Sequence, residues 1–335
     1  MNRSIPNRLT LLLAALVLAF TVAACGGDDE QSASGGGDRA AEETPAGGEQ
    51  AGGNVIQADP ANEGKTITVG SKNFAEQYIL GEIYAQALEA AGFTVEKQLD
   101  LGSEQIAFKA LKSGRIDAYP EYTGTALTSF YKVKTDDVPR DKDESFQQLS
   151  SELEADDITA MPQTPFQNTY KVTSTKETAE KYGNPTTLSE LAEAAGSEAS
   201  LSGFPECRQR TDCLLGLNQV YSWEPKFVSS QGQYADLDAG QAEFTMGFST
   251  DGPLSLDKYV TYEDDKSLFP PYYVTFMVRN QAVEALGENG QAVIEQVQEP
   301  LTEEVMQELN SRVVLDKQEP EQVAADYLKE AGFVQ

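Results

Sequence analysis

The chain has 335 residues, 40% of them hydrophobic, so it is long enough to build two globular domains with apolar cores. Its 54 acidic and 25 basic residues give a formal net charge of −29, which repels nucleic acid and argues against a nucleic-acid partner. The sequence contains no histidine, which excludes Ser-His-Asp and Cys-His catalysis and the usual zinc ligand sets. We therefore expect no enzyme, no metal site and no cofactor.

The first 24 residues have the pattern of a signal peptide. Arg3 and Arg8 provide a basic start, residues 9–22 are mostly apolar, and the small residues Val-Ala-Ala precede Cys25. Residues 22–25 resemble the lipobox of bacterial lipoproteins, in which the cysteine becomes the lipidated first residue of the mature protein. An ordinary secretory signal with a chance cysteine is the alternative. Both readings place the working part of the chain outside the cytoplasm, and the first predicts a lipid anchor at the cell membrane.

Residues 25–64 predict a disordered tether between the lipidated cysteine and the folded part. The segment consists mainly of Gly, Ala, Asp and Glu and lacks aromatic residues, so it cannot bury enough apolar surface to fold. Flexible chains of this length reach about 35 Å, which is enough to hold a domain away from a membrane. The folded part is predicted to begin near Lys65.

From Lys65 onward, short apolar runs alternate with helical stretches. Apolar residues three or four positions apart predict a helix at 75–92, and Ser103 is a plausible N-cap for a second helix. In chain order the elements are a strand at 66–70, a helix at 75–92, a strand at 93–101, a helix at 103–114 and a strand at 116–120. This βαβαβ order predicts a mostly parallel sheet that binds ligands beyond the carboxyl ends of its strands.

The middle of the chain predicts a second α/β lobe. Residues 165–174 read as a strand crossing into it, further strands follow in the segments EASLSG, KFVSS, AEFTMGFSTDG and YVTYED, and residues 269–278 read as the returning strand, with Tyr272 at its head. The remaining helical segment, 281–335, is expected to pack back on the first lobe. The prediction is therefore an α/β fold with lobe 1 at 65–169 plus 274–335, lobe 2 at 170–273, two crossover strands and a ligand cleft.

Two cysteines remain beyond Cys25, and both lie in the segment PECRQRTDC. In an oxidising compartment, Cys207 and Cys213 are expected to form a disulfide that fixes the local backbone of Arg208 and Arg210. A free redox pair or a metal site is the less favoured interpretation.

Five motifs in order carry a specific resemblance: VGSKNFAEQYILGE, LGSEQIAFKALKSGRIDAYPEYTGTAL, QNTYKV, FSTDG and DDKSLFPPY. Together they resemble the substrate-binding proteins of bacterial ABC importers for quaternary amines such as glycine betaine, carnitine and choline. The resemblance implies the type II periplasmic-binding-protein fold, no enzymatic activity, and a monomer that works with a membrane permease and an ATPase.

The resemblance also implies an aromatic cage for a trimethylammonium group, which has no proton to donate and is held by ring faces. Four motif positions carry the expected rings, at Tyr122, Tyr170, Phe248 and Tyr272. Phe248 replaces the tyrosine that is usual in the family, so a ring face is kept and a hydroxyl is lost.

A betaine also carries a carboxylate, for which the resemblance implies Lys72, Thr125 and Arg210 as donors, with Asn168 beside the second ring. Arg208 remains a rival to Arg210, because the match there is weaker. The two cations would favour a zwitterion over choline.

Three alternatives stay open at this stage. An enzyme on the same fold would need a nucleophile with a base, or a metal, in the strand-end loops. A sensor lipoprotein would bind no osmolyte. Another trimethylated ligand, such as choline, carnitine or a histidine betaine, would use the same cage.

The cage interpretation predicts that Tyr122→Ala weakens binding of the quaternary amine at least tenfold, because one ring face is removed. Titration calorimetry of the variant and the wild type measures this directly. An unchanged affinity would remove Tyr122 from the cage.

Overall fold

The computed structural model describes residues 55–335. The predicted signal peptide, Cys25 and the tether up to residue 54 lie outside the described residues. Residues 55–64, which were expected to belong to the tether, lie instead against the first lobe: the Ile56 amide donates to the Phe333 carbonyl at 2.9 Å and the Asp59 amide to the Ala91 carbonyl at 3.0 Å. The segment that packs on the first lobe thus begins before Lys65.

The strands and helices alternate along the described chain much as the sequence predicts. The strands are β1 Thr66–Gly70, β2 Thr94–Gln98, β3 Ala118–Tyr122, β4 Ile158–Ala160, β5 Tyr170–Thr175, β6 Ser200–Gly203, β7 Lys226–Ser229, β8 Phe244–Phe248, β9 Tyr259–Thr261 and β10 Val274–Arg279. The helices are α1 Ala75–Ala90, α2 Glu104–Lys112, α3 Thr123–Thr125, α4 Lys142–Glu154, α5 Lys176–Lys181, α6 Leu188–Ala195, α7 Leu214–Tyr221, α8 Gln233–Asp238, α9 Asn280–Gln298, α10 Glu303–Val314 and α11 Pro320–Glu330. Ser103 occupies the N-cap position of α2, but its side chain makes no capping hydrogen bond.

The strands form two separate five-stranded sheets. The first has the order β2-β1-β3-β10-β4, in which β1 pairs in parallel with β2 and β3, while β10 runs antiparallel between β3 and β4. The second has the order β7-β6-β8-β5-β9, in which β6 pairs in parallel with β7 and β8, while β5 runs antiparallel to β8 and β9. Each sheet is therefore mixed, because the strand next to a crossing runs against its neighbours.

Two extended segments connect the sheets and lie side by side. The Asn168 amide donates to the Tyr272 carbonyl at 3.0 Å, and Gln167 and Tyr273 form an antiparallel bridge. The Gln167 side chain also accepts from the Tyr272 amide at 3.2 Å. Two predicted site residues, Asn168 and Tyr272, thus lie within the segments that join the lobes.

The C-terminal helices pack on both lobes rather than on the first alone. Helices α9, α10 and α11 contact α1, as the sequence analysis expected. Helix α10 also contacts the turn Gly252–Ser255 of the second sheet's lobe, where a Cβ on Gly252 would lie 2.6 Å from the Ser311 backbone. The close approach explains why glycine stands at this position. Across residues 55–335, every helix is too short or too polar to cross a bilayer.

The core under the first sheet predicts the effect of a large-to-small substitution. Phe276 on β10 is fully buried, and its ring centroid lies 4.3 Å from that of Tyr84 on α1. Phe276→Ala is expected to lower the free energy of unfolding by about 3 to 5 kcal/mol, because it leaves a cavity. Urea unfolding measures the change, and Ile106→Ala, at a side chain that is 49% exposed, is the control. Equal effects of the two substitutions would contradict this assignment of the core.

Candidate functional site

The predicted site residues gather at one edge of each sheet. In the first sheet, Lys72 follows the carboxyl end of β1, Tyr122 ends β3 and Tyr272 precedes the antiparallel strand β10. In the second sheet, Phe248 ends β8 and is paired with Tyr170 at the start of β5. Because β5 runs antiparallel to β8 and β10 antiparallel to β3, the first residues of β5 and β10 lie beside the carboxyl ends of β8 and β3. Both lobes therefore present their side chains at the edge where α/β sheets bind ligands.

Five rings form what we call the aromatic cluster: Tyr170, Phe204, Phe248, Phe269 and Tyr272. Tyr170 lies at its centre, with ring centroids 5.1 Å from Phe248, 5.3 Å from Phe269, 5.3 Å from Tyr272 and 6.2 Å from Phe204. The Tyr170 and Tyr272 rings are nearly perpendicular, at 86°. Burial raises the pKa of both tyrosines well above the ordinary value, so their hydroxyls keep their protons. Three of the four predicted cage rings thus come together, joined by Phe204 and Phe269.

The ring of Tyr122 lies in a second group. It is stacked near Phe74 with a centroid distance of 6.3 Å, and the Lys72 ammonium lies 4.3 Å from the Tyr122 centroid. Lys72 is buried and forms an ion pair with the fully buried Glu121, which also accepts from the Tyr119 hydroxyl at 2.9 Å. Lys72 therefore already has a carboxylate partner and occupies one face of Tyr122.

The carboxylate of Glu76 joins this second group to the rest of the site. Its Oε1 accepts from the Tyr122 hydroxyl at 2.7 Å and from Asn168 Nδ2 at 2.8 Å. Its Oε2 accepts from the Thr250 hydroxyl and from Asn310 Nδ2, the latter at 2.9 Å. Among residues 55–335, no lysine or arginine forms an ion pair with it. A buried acid is thus satisfied by four neutral donors from both lobes and the C-terminal helices.

The predicted disulfide between Cys207 and Cys213 is present, with 5.2 Å between the Cα atoms. Within the small loop it closes, Arg210 makes a bidentate ion pair with Asp212, with Nε to Oδ1 at 2.8 Å and Nη2 to Oδ2 at 2.6 Å. The Arg210 Cζ lies 5.9 Å from the Tyr170 centroid. Burial alone would lower the pKa of Arg210, but the interactions with Tyr170 and Asp212 outweigh it and raise this pKa.

The two arginines of this loop have different surroundings. Arg208 is exposed and lies over the Phe227 ring, with 5.0 Å between its Cζ and the centroid. Arg210 reaches instead toward the first lobe, where its Nη1 lies 3.1 Å from Ser129 Oγ and 3.5 Å from Glu104 Oε1. Of the two, Arg210 is the one that lies next to the aromatic cluster.

The turn at residues 123–125 brings Tyr272 against the first lobe. A Cβ on Gly124 would lie 2.6 Å from the Pro271 carbonyl oxygen and 2.9 Å from the Tyr272 ring, so only glycine allows this approach. The Thr123 hydroxyl donates to the same Pro271 carbonyl at 2.9 Å. Thr125, the predicted carboxylate donor, is buried at the end of the turn.

Asp251, which the sequence marks as part of FSTDG, holds the loop after β8. Its Oδ2 accepts from the Phe248 amide at 2.8 Å and from the Tyr234 hydroxyl at 2.9 Å. Burial raises the pKa of Asp251 to about 7. The backbone of Phe248 is therefore held by the Asp251 carboxylate.

Sequence reasoning missed four residues of the site. Phe269 lies inside the motif DDKSLFPPY, and Phe204 lies between the segments EASLSG and PECRQRTDC, but neither holds a position that the resemblance implies for the cage. Glu76 lies inside the first motif, and Asp212 lies in the disulfide loop; both are almost fully buried. Acidic residues usually lie at the surface, and both of these stand among other polar residues, so no local signal in the sequence marks their burial. In the described part of the chain, no group of three or more Cys, Asp or Glu side chains could hold a metal ion.

Comparison with known proteins identifies relatives over most of the chain. Residues 65–330 match the family model described as the substrate-binding domain of ABC-type glycine betaine transport systems. The glycine-betaine-binding protein of Pseudomonas aeruginosa is 31% identical over 284 residues, which cover 80% of this chain and 88% of the relative. The glycine betaine-binding protein YehZ of Escherichia coli is 26% identical over 291 residues, covering 82% and 93%.

A solved structure described as a glycine betaine/carnitine/choline ABC transporter matches with a TM-score of 0.66 and 24% identity, covering 79% of this chain and 98% of the other. At this identity the match concerns the fold. The two-lobed α/β fold of substrate-binding proteins and the resemblance read from the motifs are both confirmed.

The hydrogen bonds of Glu76 predict that even a conservative substitution is costly. In Glu76→Gln, one acceptor oxygen becomes an NH₂ group that faces two donors, so buried polar groups lose their partners. We expect the free energy of unfolding to fall by about 1 to 3 kcal/mol. Urea unfolding measures the loss, with Glu89→Gln as the control, because Glu89 is an exposed residue of the same helix. Equal stability of the two variants would show that the four donors find other acceptors.

Proposed function

This chain belongs to the family of substrate-binding domains of ABC-type glycine betaine transport systems, and we propose that it captures a small quaternary ammonium compound of the glycine betaine class for such an importer. The observation that carries the proposal is the aromatic cluster at the strand-end edge of the second sheet, with Tyr170 at its centre. Ring faces attract a trimethylammonium group without requiring a hydrogen bond from it.

In this proposal Tyr170, Phe248 and Tyr272 bind the ammonium group, with Phe204 and Phe269 extending the apolar wall. Tyr122 contributes from the first lobe, where Glu76 orients its hydroxyl. Three or four rings at about 0.5 to 2 kcal/mol each supply a large part of a micromolar affinity, which corresponds to about 8 kcal/mol. The remainder comes from burial of the methyl groups.

The carboxylate of a betaine would be bound by Thr125, Lys72 and Arg210, with Asn168 at the crossing segment. Both cations are paired with acids, so the ligand's carboxylate would join existing ion pairs rather than meet free charges. Asn168 is held by Glu76 through its amide nitrogen. The Lys72 ammonium lies 4.3 Å from the Tyr122 centroid, so it would contact the ligand beside this ring.

The two lobes, taken as residues 65–169 plus 274–335 and residues 170–273, would close around the ligand, because a ligand that contacts both lobes favours the closed state. Members of this family are extracytoplasmic substrate-binding components. We further propose that Cys25 carries a lipid anchor, that residues 26–54 act as the tether, and that the protein acts as a monomer and hands its ligand to a permease driven by an ATPase. The role requires no catalytic step.

Titration calorimetry with a matched pair of ligands tests the proposal. Glycine betaine is expected to bind with micromolar affinity, and 3,3-dimethylbutyrate, which has the same shape without the positive nitrogen, at least tenfold more weakly, because it lacks the attraction of a cation to the rings. Absence of binding by any quaternary amine would overturn the proposed ligand class. Equal binding of the two compounds would show that the aromatic cluster recognises shape and apolar surface rather than charge.

A further inference from the structure

Asp212 is a buried acid at the point where the disulfide loop meets the aromatic cluster. Only 1% of the residue is exposed. Its two oxygens accept from Arg210, and Oδ2 also accepts from the Tyr272 hydroxyl at 2.6 Å. One carboxylate therefore holds both the cation and one of the rings to which we assign ligand binding.

The pairing occupies the side of Arg210 that would otherwise recognise a carboxylate. A guanidinium binds carboxylates best through two parallel hydrogen bonds, and Nε and Nη2 make that pair with Asp212. The remaining nitrogen, Nη1, points to Ser129 and Glu104 in the first lobe. A ligand carboxylate that approaches Arg210 is therefore repelled by the Asp212 carboxylate, which already makes the two parallel hydrogen bonds.

The same carboxylate favours a cation next to Tyr272. Because Asp212 accepts the hydroxyl proton, its negative charge lies at the end of a ring that stands 5.3 Å from Tyr170, centroid to centroid. Two cations, Lys72 and Arg210, lie next to the two groups of rings. Four acids form hydrogen bonds or ion pairs with these cations or rings, namely Glu76, Glu104, Glu121 and Asp212. In a buried site with little water to screen charges, this excess of acid stabilises a ligand with net positive charge.

We propose that Asp212 sets the charge selectivity of the site: by neutralising Arg210 and supporting Tyr272, it weakens the binding of zwitterionic betaines and extends the ligand range to quaternary ammonium compounds without a carboxylate, the chemical class of choline. This inference rests on the proposed function. It assigns to Asp212 a role through Arg210 and Tyr272.

Calorimetry with glycine betaine and choline on three variants tests the proposal. In Asp212→Asn, the charge is removed while the shape is kept, so the ratio of betaine affinity to choline affinity is expected to rise at least tenfold over wild type. In Arg210→Gln, Asp212 remains without its cation, and the ratio is expected to fall by a similar factor. The double variant Arg210→Gln/Asp212→Asn should lie between the two single variants, because both charges are gone.

The chain offers a matched control in Asp238. This acid also accepts from a cation and a tyrosine, with Lys258 Nζ at 2.7 Å and the Tyr259 hydroxyl at 2.8 Å, but it lies at the surface away from the aromatic cluster. Asp238→Asn removes the same charge and the same kinds of hydrogen bond, and it is expected to leave the affinity ratio within twofold of wild type.

The outcomes separate the inference from the function on which it rests. If the wild type binds neither compound, the proposed function fails and the selectivity role fails with it. If the wild type binds at least one of them and the ratio in Asp212→Asn stays within twofold of that in Asp238→Asn, only the selectivity role is overturned. Should Asp212→Asn fail to fold, as judged by circular dichroism, Arg210→Gln decides the question, since a ratio within twofold of wild type in that variant would also overturn the selectivity role.

Discussion

The buried carboxylate of Glu76 is the contact on which the arrangement of the site depends. Its four donors come from β3, the first crossing segment, the loop after β8 and α10, at sequence separations of 46, 92, 174 and 234 residues. A carboxylate in an apolar interior is costly unless its oxygens are fully hydrogen-bonded, so all four segments must be in place together. The N-terminal end of α1, where Glu76 lies in the first turn, further favours a negative charge there. One side chain thus fixes the lobes, a crossing and the C-terminal helices relative to each other.

A second buried acid, Asp212, holds a tyrosine of the aromatic cluster in the same way. Asp212 holds Tyr272 as Glu76 holds Tyr122, and in each case a tyrosine hydroxyl donates to a carboxylate while the ring remains available for apolar or cationic contact. The disulfide explains why Asp212 can be positioned by so short a loop, because it restricts the backbone between Cys207 and Cys213. The tyrosines are therefore held by charge-assisted hydrogen bonds, which are stronger than those between neutral groups.

Much of the fold could be predicted from the sequence, because it depends on local patterns. The apolar periodicity of α1, the short β-branched run of β1 and the glycine after α1 each act over a few residues, and the structure places these elements close to the expected bounds. The returning strand β10 begins at Val274, five residues later than expected. The motifs also predicted aromatic rings at the ends of strands, where the structure has Tyr122, Tyr170 and Phe248. Burial of Glu76 and Asp212 could not be predicted in this way, since their partners lie up to 234 residues away and an isolated acidic residue usually indicates an exposed surface.

The same reasoning explains why the cations were harder to interpret than the rings. An aromatic ring can bind a ligand through its face whatever residues lie behind it, so the residue type alone indicates a role in ligand contact. A cation contributes according to what already neutralises it, and Glu121 and Asp212 do so for Lys72 and Arg210. Residues 121 and 122 show the difference within one dipeptide: the ring of Tyr122 was predicted from the motif, whereas the ion pair of its neighbour Glu121 with Lys72 was not. In this chain, Lys72 and Arg210 are therefore neutralised by acids whose contacts only the folded structure reveals.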